Sequence, residues 1–137
     1  MNAAAAPAVS IEAFEAGSID ANAFDHESHI YAAWLYLERW PLHEAIEKFS
    51  AALRRLTIKV GADGKYHETI TWFFMILISE RRAAAKQTSW FAFRRDNNDL
   101  VCDAGKTLQR YYSKELLESN HARQQFLLPD KVATSDA

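Results

Sequence analysis

The chain has 137 residues, of which 49% are hydrophobic and 25% charged, and this mixture excludes a disordered or fibrous protein. With only 4 glycines and 3 prolines, it has too few turn residues for an all-β sandwich or barrel, and its single cysteine excludes an internal disulfide framework or a cysteine-based zinc site. The net charge of −2 argues against nucleic-acid binding through a basic surface.

The first residues do not resemble a targeting signal, because residues 1–9 contain no basic residue and no long apolar stretch. The strongest apolar run, residues 72–78, is far shorter than the ~20 residues that span a bilayer. We therefore expect no membrane association and a cytoplasmic protein with a reduced Cys102. We expect residues 1–9 and 129–137 to be tails around a folded domain of residues 10–128.

The first half of the chain predicts three helices in succession. Ser10 is a typical N-cap and Gly17 a typical terminator for a short helix over residues 11–16. A second helix should begin after Asp20 or near Phe24 and end at residue 40, because Pro41 disfavours its continuation. A third, amphipathic helix is predicted over residues 42–60. Its apolar positions step by three and four and comprise Ile46, Phe49, Leu53 and Leu56.

The central element should be a helix over residues 65–86. Between residues 70 and 78 only Thr71 interrupts the apolar residues, which predicts a helix buried on every side. Shorter helices are predicted over residues 90–95, over residues 100–112, and from Ser113 to about His121 or Arg123, with a turn at residues 96–99. The fold class is therefore all-α, a compact single-domain helical bundle with a buried central helix.

Three of the five histidines form the most informative pattern. His26 and His29 are three residues apart at the start of a predicted helix, so both side chains share one face, and Asp25 lies four residues before His29 on that face. Short connections make neighbouring helices antiparallel, so the helix predicted from residue 65, with His67 in its first turn, should start at the same end of the bundle. We therefore expect His26, His29 and His67 to converge.

Such a cluster has the chemistry of a mononuclear metal site. Helix N-termini favour neutral imidazole, which is the ligating form, and three histidines with an open position suit one divalent ion such as Zn, Fe, Cu or Mn. Asp25 or Glu68 would act as catalytic base or fourth ligand in a metal-dependent enzyme acting on a small molecule. Tyr31, Thr71 and Trp72 could line its pocket.

The same residues also support a hypothesis from a different class of function. The histidines could form a structural polar cluster in a non-catalytic helical module that binds a small molecule or a protein partner, including a second copy of the chain. His43 and His121 are expected to be exposed and to serve neither function.

Two segments carry a resemblance to a known family. The pattern Phe24-x-His26-x-x-His29 and the run from Lys65 to Thr71, KYHETIT, resemble those of a family of small, uncharacterised, all-helical bacterial proteins. The resemblance implies that His26, His29 and His67 belong together, and it implies no activity.

Overall fold

The computed structural model describes residues 6–20, 22, 24–85 and 89–131, and over these residues the chain is all-α, with nine α-helices, short 3-10 structure and no strand. The helices are α1 (Ile11–Ala16), α2 (His26–Arg39), α3 (Leu42–Lys59), α4 (Glu68–Ala84), α5 (Trp90–Asp96), α6 (Asn98–Cys102), α7 (Ala104–Gln109), α8 (Lys114–Leu117) and α9 (Asn120–Gln124). A 3-10 helix, Asp63–Lys65, lies between α3 and α4.

Helix α1 has the predicted bounds and both predicted caps. The Ser10 hydroxyl accepts a hydrogen bond from the Ala13 amide at 3.0 Å. Gly17 closes the helix in the left-handed region, at φ 68°, where a glycine has no Cβ penalty. The predicted end of α2 at Pro41 and the amphipathic character of α3 are also confirmed, since all four of its predicted core residues are buried.

Helices α2, α3 and α4 pack against one another and form the body of the bundle. The beginnings of α2 and α4 and the last turn of α3 line one common cleft, which is the arrangement that short antiparallel connections predict. The core between these helices and α1 contains the fully buried aromatic side chains of Phe14 and Tyr36, while Tyr112, also fully buried, packs against Phe73 of α4.

Helix α4 begins later than the sequence predicts. It starts at Glu68, and Lys65 belongs instead to the 3-10 helix, while His67 has extended backbone at φ −139° and precedes the first helical turn. Nor is the apolar run buried on every side. Ile78 is completely buried, but Ile76 is 37% exposed, because a helix at the surface of so small a domain presents one face to solvent.

Each helix predicted in the second half of the chain after α5 is divided in two. The predicted helix 100–112 is interrupted at Asp103 and forms α6 and α7. The helix predicted after Ser113 is interrupted at Ser119, whose hydroxyl accepts from the Ala122 amide at 3.1 Å and begins α9. A residue that caps a helix locally, as Ser119 does, competes with continuation of the preceding helix, whereas Asp103 makes no side-chain cap bond to α7.

The predicted tails fall largely outside the described residues, which exclude residues 1–5 and 132–137. Residues 129–131, however, are attached to the domain. The Asp130 carboxylate accepts from the Ser113 amide at 2.8 Å and from its hydroxyl at 2.6 Å, and the Lys131 amide donates to the Tyr111 carbonyl at 3.0 Å. Within the described residues, no helix combines the length and the apolar character needed to cross a bilayer.

Candidate functional site

A cleft of about 1050 Å³ lies at the end of the bundle where α2 and α4 begin and α3 ends. Small-molecule sites in proteins typically occupy roughly 300–1,000 Å³, so this cleft is large enough for an organic ligand. All three histidines of the predicted cluster line it.

The cleft has an apolar floor, a mixed wall and a charged rim. The floor consists of buried core residues: Ile30, Ala33, Phe49, Leu53, Leu56 and Met75. The wall consists of partly buried residues: Phe24, His29, Tyr66, His67, Ile70, Thr71 and Phe74. The rim is exposed and includes Asp20, Asn22, His26 and Lys65. An apolar cavity with a few polar groups is typical of binding sites for small molecules.

His29 projects from the first turn of α2 into this wall. Its ring lies against the Phe24 ring, with 4.3 Å between centroids. Burial lowers the pKa of His29 to about 4, and the neighbouring His26 acts in the same direction although Asp25 opposes it. Among the described residues neither ring nitrogen has a hydrogen-bond partner, so His29 presents one donor and one acceptor in its neutral form.

His26 lies at the exposed rim and connects α2 to α6. Its Nε2 donates a hydrogen bond to the Leu100 carbonyl at 2.9 Å, and its ring meets the Phe74 ring edge-on at 5.8 Å. Leu100 is completely buried, so this bond satisfies a carbonyl at the edge of the core. One nitrogen of His26 therefore holds two helices together.

His67 caps α4 and has both ring nitrogens occupied. Nδ1 accepts from the Ile70 amide at 3.2 Å, and Nε2 donates to the Leu117 carbonyl at 2.7 Å. This pairing requires neutral imidazole with its proton on Nε2. Burial lowers the pKa of His67, in agreement with a neutral ring, while the bond to Leu117 opposes that shift and Arg123 reinforces it.

The two carboxylates predicted to be catalytic point to other partners. Asp25 caps α2, accepting from the amide and the hydroxyl of Ser28 at 2.9 Å each, and these bonds hold the pKa of its carboxyl below the usual range. Glu68 accepts from the Tyr66 hydroxyl and pairs with Arg54 at 3.3 Å. Neither carboxylate lines the cleft.

The group formed by Arg54, Tyr66 and Glu68 was not found by sequence reasoning. The Arg54 guanidinium lies over the Tyr66 ring, 4.7 Å from its centroid, and burial raises the pKa of the Tyr66 hydroxyl to about 12. The prediction placed Tyr66 inside a helix, where positions two apart face different directions. In the extended segment before α4, Tyr66 and Glu68 meet.

Only one of the three predicted pocket residues lines the cleft. Thr71 does, and its hydroxyl donates to the His67 carbonyl at 2.8 Å. Tyr31 packs against Trp90, with 4.9 Å between ring centroids, and Trp72 stacks on Phe126 at 5.2 Å.

Helical phase explains why Tyr31 and Trp72 do not line the cleft. Tyr31 is two positions after His29 and therefore about 160° away around α2, whereas Ile30 and Ala33 stay on the histidine face. On α4 the cleft-lining residues after Thr71 are Phe74 and Met75, three and four positions on, and Trp72 is turned away by about 100°.

The three histidines share the cleft without forming one ligand set. In the part of the chain that the structure describes, no group of three or more His, Cys, Asp or Glu side chains is placed to hold a metal ion. His43 and His121 lie where the sequence predicts, since both are exposed and outside the cleft.

Comparison with known proteins identifies no relative, since no family model, no curated protein and no solved structure matches the chain. The resemblance to small bacterial proteins therefore stays a prediction.

Proposed function

We propose that the protein binds a small organic molecule in the cleft between α2, α3 and α4, without a catalytic role for Asp25 or Glu68. The observation that supports this function is the cleft itself, which combines a volume of about 1050 Å³, a floor of core residues and a neutral His29 in its wall. The two carboxylates predicted to be catalytic, Asp25 and Glu68, have partners elsewhere and do not line the cleft.

A fragment screen by ligand-observed NMR tests this function, followed by amide chemical-shift mapping of each hit on the unmodified protein. We expect hits whose largest shifts fall in the first halves of α2 and α4, at residues such as His29 and Thr71. A library without hits, or hits that all map to another surface, would contradict the proposal.

A matched pair of variants extends the test. Ala33→Phe places a ring on the cleft floor, whereas Ala51→Phe adds the same ring at an exposed position of α3 outside the cleft. We expect Ala33→Phe to weaken binding at least tenfold and Ala51→Phe to leave it unchanged. Since Ala33 is buried and overpacking can destabilise a core, the shift mapping above remains the deciding measurement if Ala33→Phe does not fold.

Metal-dependent activity is the second proposal, and one observation favours it. His26, His29 and His67 line the same cleft. The lowered pKa of both His29 and His67 favours neutral imidazole, which is the form that binds a metal ion. The geometry supports this function less directly, because both nitrogens of His67 already have partners.

Elemental analysis of protein purified without an affinity tag decides whether the protein binds a metal ion. One equivalent of Zn, Fe, Cu or Mn is expected if the site exists, and metal far below that, with none taken up on addition, contradicts it.

A cytoplasmic location and a protein partner, including a second copy of the chain, are further proposals. The exposed, unpaired Cys102 supports a reducing compartment. Sedimentation of the purified protein over a range of concentrations tests self-association.

A further inference from the structure

The hydrogen-bonding groups inside the cleft are mostly used by the protein itself. The Thr71 hydroxyl donates to the His67 carbonyl, the Tyr66 hydroxyl donates to Glu68, and His67 uses both ring nitrogens. His29 is the exception among the described residues of the wall, because neither of its nitrogens has a partner there. The hydroxyls of Thr57, Tyr66 and Thr71 have already donated their protons and can only accept. Among the described side chains below the rim, His29 is therefore the one that offers a bound molecule both a free donor and a free acceptor.

Charged groups are confined to the rim or paired with each other. Asp20 and Lys65 are both exposed, and they carry opposite charges. Arg54 and Glu68, next to the wall, form an ion pair at 3.3 Å. Among the described residues, the floor and wall contain no ionised side chain at neutral pH, so a charged group placed below the rim would lose its hydration without gaining a counter-ion.

From these two observations we infer that the cleft selects an uncharged, largely apolar molecule carrying one neutral hydrogen-bonding group, and that the His29 imidazole recognises this group. The inference rests on the proposed function and names its ligand class. Neutral imidazole can donate to a carbonyl or accept from a hydroxyl, so both kinds of group suit it. The low pKa of His29 agrees with this role, because the ring stays neutral throughout the physiological range.

Four probes with the same ring system test the inference at pH 7 on the full chain: naphthalene, 2-naphthol, 2-acetylnaphthalene and 2-naphthoate. We expect 2-naphthol, 2-acetylnaphthalene or both to bind roughly three- to tenfold more tightly than naphthalene, which is the effect of one hydrogen bond to a buried neutral group. We expect 2-naphthoate to bind at least about tenfold more weakly than the better of these two, because its charge is not compensated.

His29→Phe and His43→Phe form the matched pair of variants. His29→Phe should abolish the preference for the polar probes while naphthalene still binds, whereas His43→Phe, at an exposed position outside the cleft, should preserve the preference. If His29→Phe does not fold, the ring ¹⁵N shifts of His29 in the unmodified protein give the answer. They should move with the preferred polar probe much more than with naphthalene.

The possible failures are distinguishable. If no probe binds, the inference falls together with the proposed function. If naphthalene binds as tightly as both polar probes, if 2-naphthoate binds best, or if His29 ring shifts do not respond to the polar probe, the ligand class is wrong while cleft binding stands. Release of a bound probe as the protein dimerises would show that a second copy covers the cleft, and this also overturns the inference.

Discussion

His67 connects two parts of the chain that are 50 residues apart, because its Nε2 donates to the Leu117 carbonyl at 2.7 Å while its Nδ1 caps α4 at the Ile70 amide. A histidine expected to be a metal ligand is thus also a structural residue. It fixes where α4 begins and holds the start of that helix against α8.

His67→Ala should destabilise the fold. It removes a helix N-cap and leaves the Leu117 carbonyl without its donor, and together these losses should cost about 1–3 kcal/mol of unfolding free energy. His67→Asn can retain the cap without reaching Leu117, so its stability should lie between that of the unmodified protein and that of His67→Ala. Urea denaturation measures the series, with His43→Ala as the exposed control, which should change stability by less than about 0.5 kcal/mol. Equal stabilities of His67→Ala and His43→Ala would show that neither the cap nor the bond to Leu117 contributes to stability.

The two faces of α4 should respond differently to one substitution. Ile78 is completely buried, whereas Ile76, two positions earlier, is 37% exposed. Ile78→Ala leaves a cavity and should cost about 2–5 kcal/mol, while Ile76→Ala should cost less than about 1 kcal/mol. Denaturant unfolding of both variants checks this, and similar losses would mean that α4 is buried on every side, as its sequence predicts.

Thr69 should be essential for attaching the C-terminal segment. Its buried hydroxyl lies 2.7 Å from the Ala122 carbonyl and 2.9 Å from that of Gln125, and it accepts from the Leu127 amide at 3.2 Å. Thr69→Val keeps the shape but removes these bonds, so we expect a loss of about 1–3 kcal/mol.

The same variant should be cleaved faster by protease within residues 120–131. Thr57→Val is the control, since among the described residues its hydroxyl bonds within its own helix, to the Arg54 carbonyl. If Thr69→Val is cleaved no faster than the unmodified protein, the Thr69 hydroxyl does not hold the C-terminal segment in place.

Stability should fall as the pH is lowered from about 6.5 to 4.5. His29 has a pKa of about 4 in the folded protein against about 6.5 in the unfolded chain, so in this window the unfolded state binds more protons and acid favours it. The contribution of His29 is up to about 2 kcal/mol, and His67, whose pKa is also lowered, acts with the same sign.

Urea denaturation at several pH values measures this dependence. His29→Leu should flatten the curve above pH 4.5, whereas His121→Leu, at an exposed position, should not. Asp25 and Asp99 have carboxyl pKa values below the usual range, so the stability that they contribute is lost at lower pH than this window. An unchanged slope in His29→Leu would mean that His29 is not held neutral by burial.

Local pattern in the sequence determined the helical class, the caps of α1, the break at Pro41 and the buried face of α3. Each depends on residues within about four positions of one another, as with Ser10 and Ala13 or Phe49 and Leu53. That α2 and α4 begin at one end of the bundle, along one cleft, also followed, because short connections leave few topologies for three helices.

Only the tertiary structure decided what those histidines do. Whether an imidazole caps, bridges or faces a cleft depends on partners such as Leu100 and Leu117, which are 74 and 50 residues from His26 and His67, and no local spacing encodes them. The phase of α2 and α4 relative to the cleft likewise turned Tyr31 and Trp72 away from it, because packing against Trp90 and Phe126 fixes how each helix is rotated.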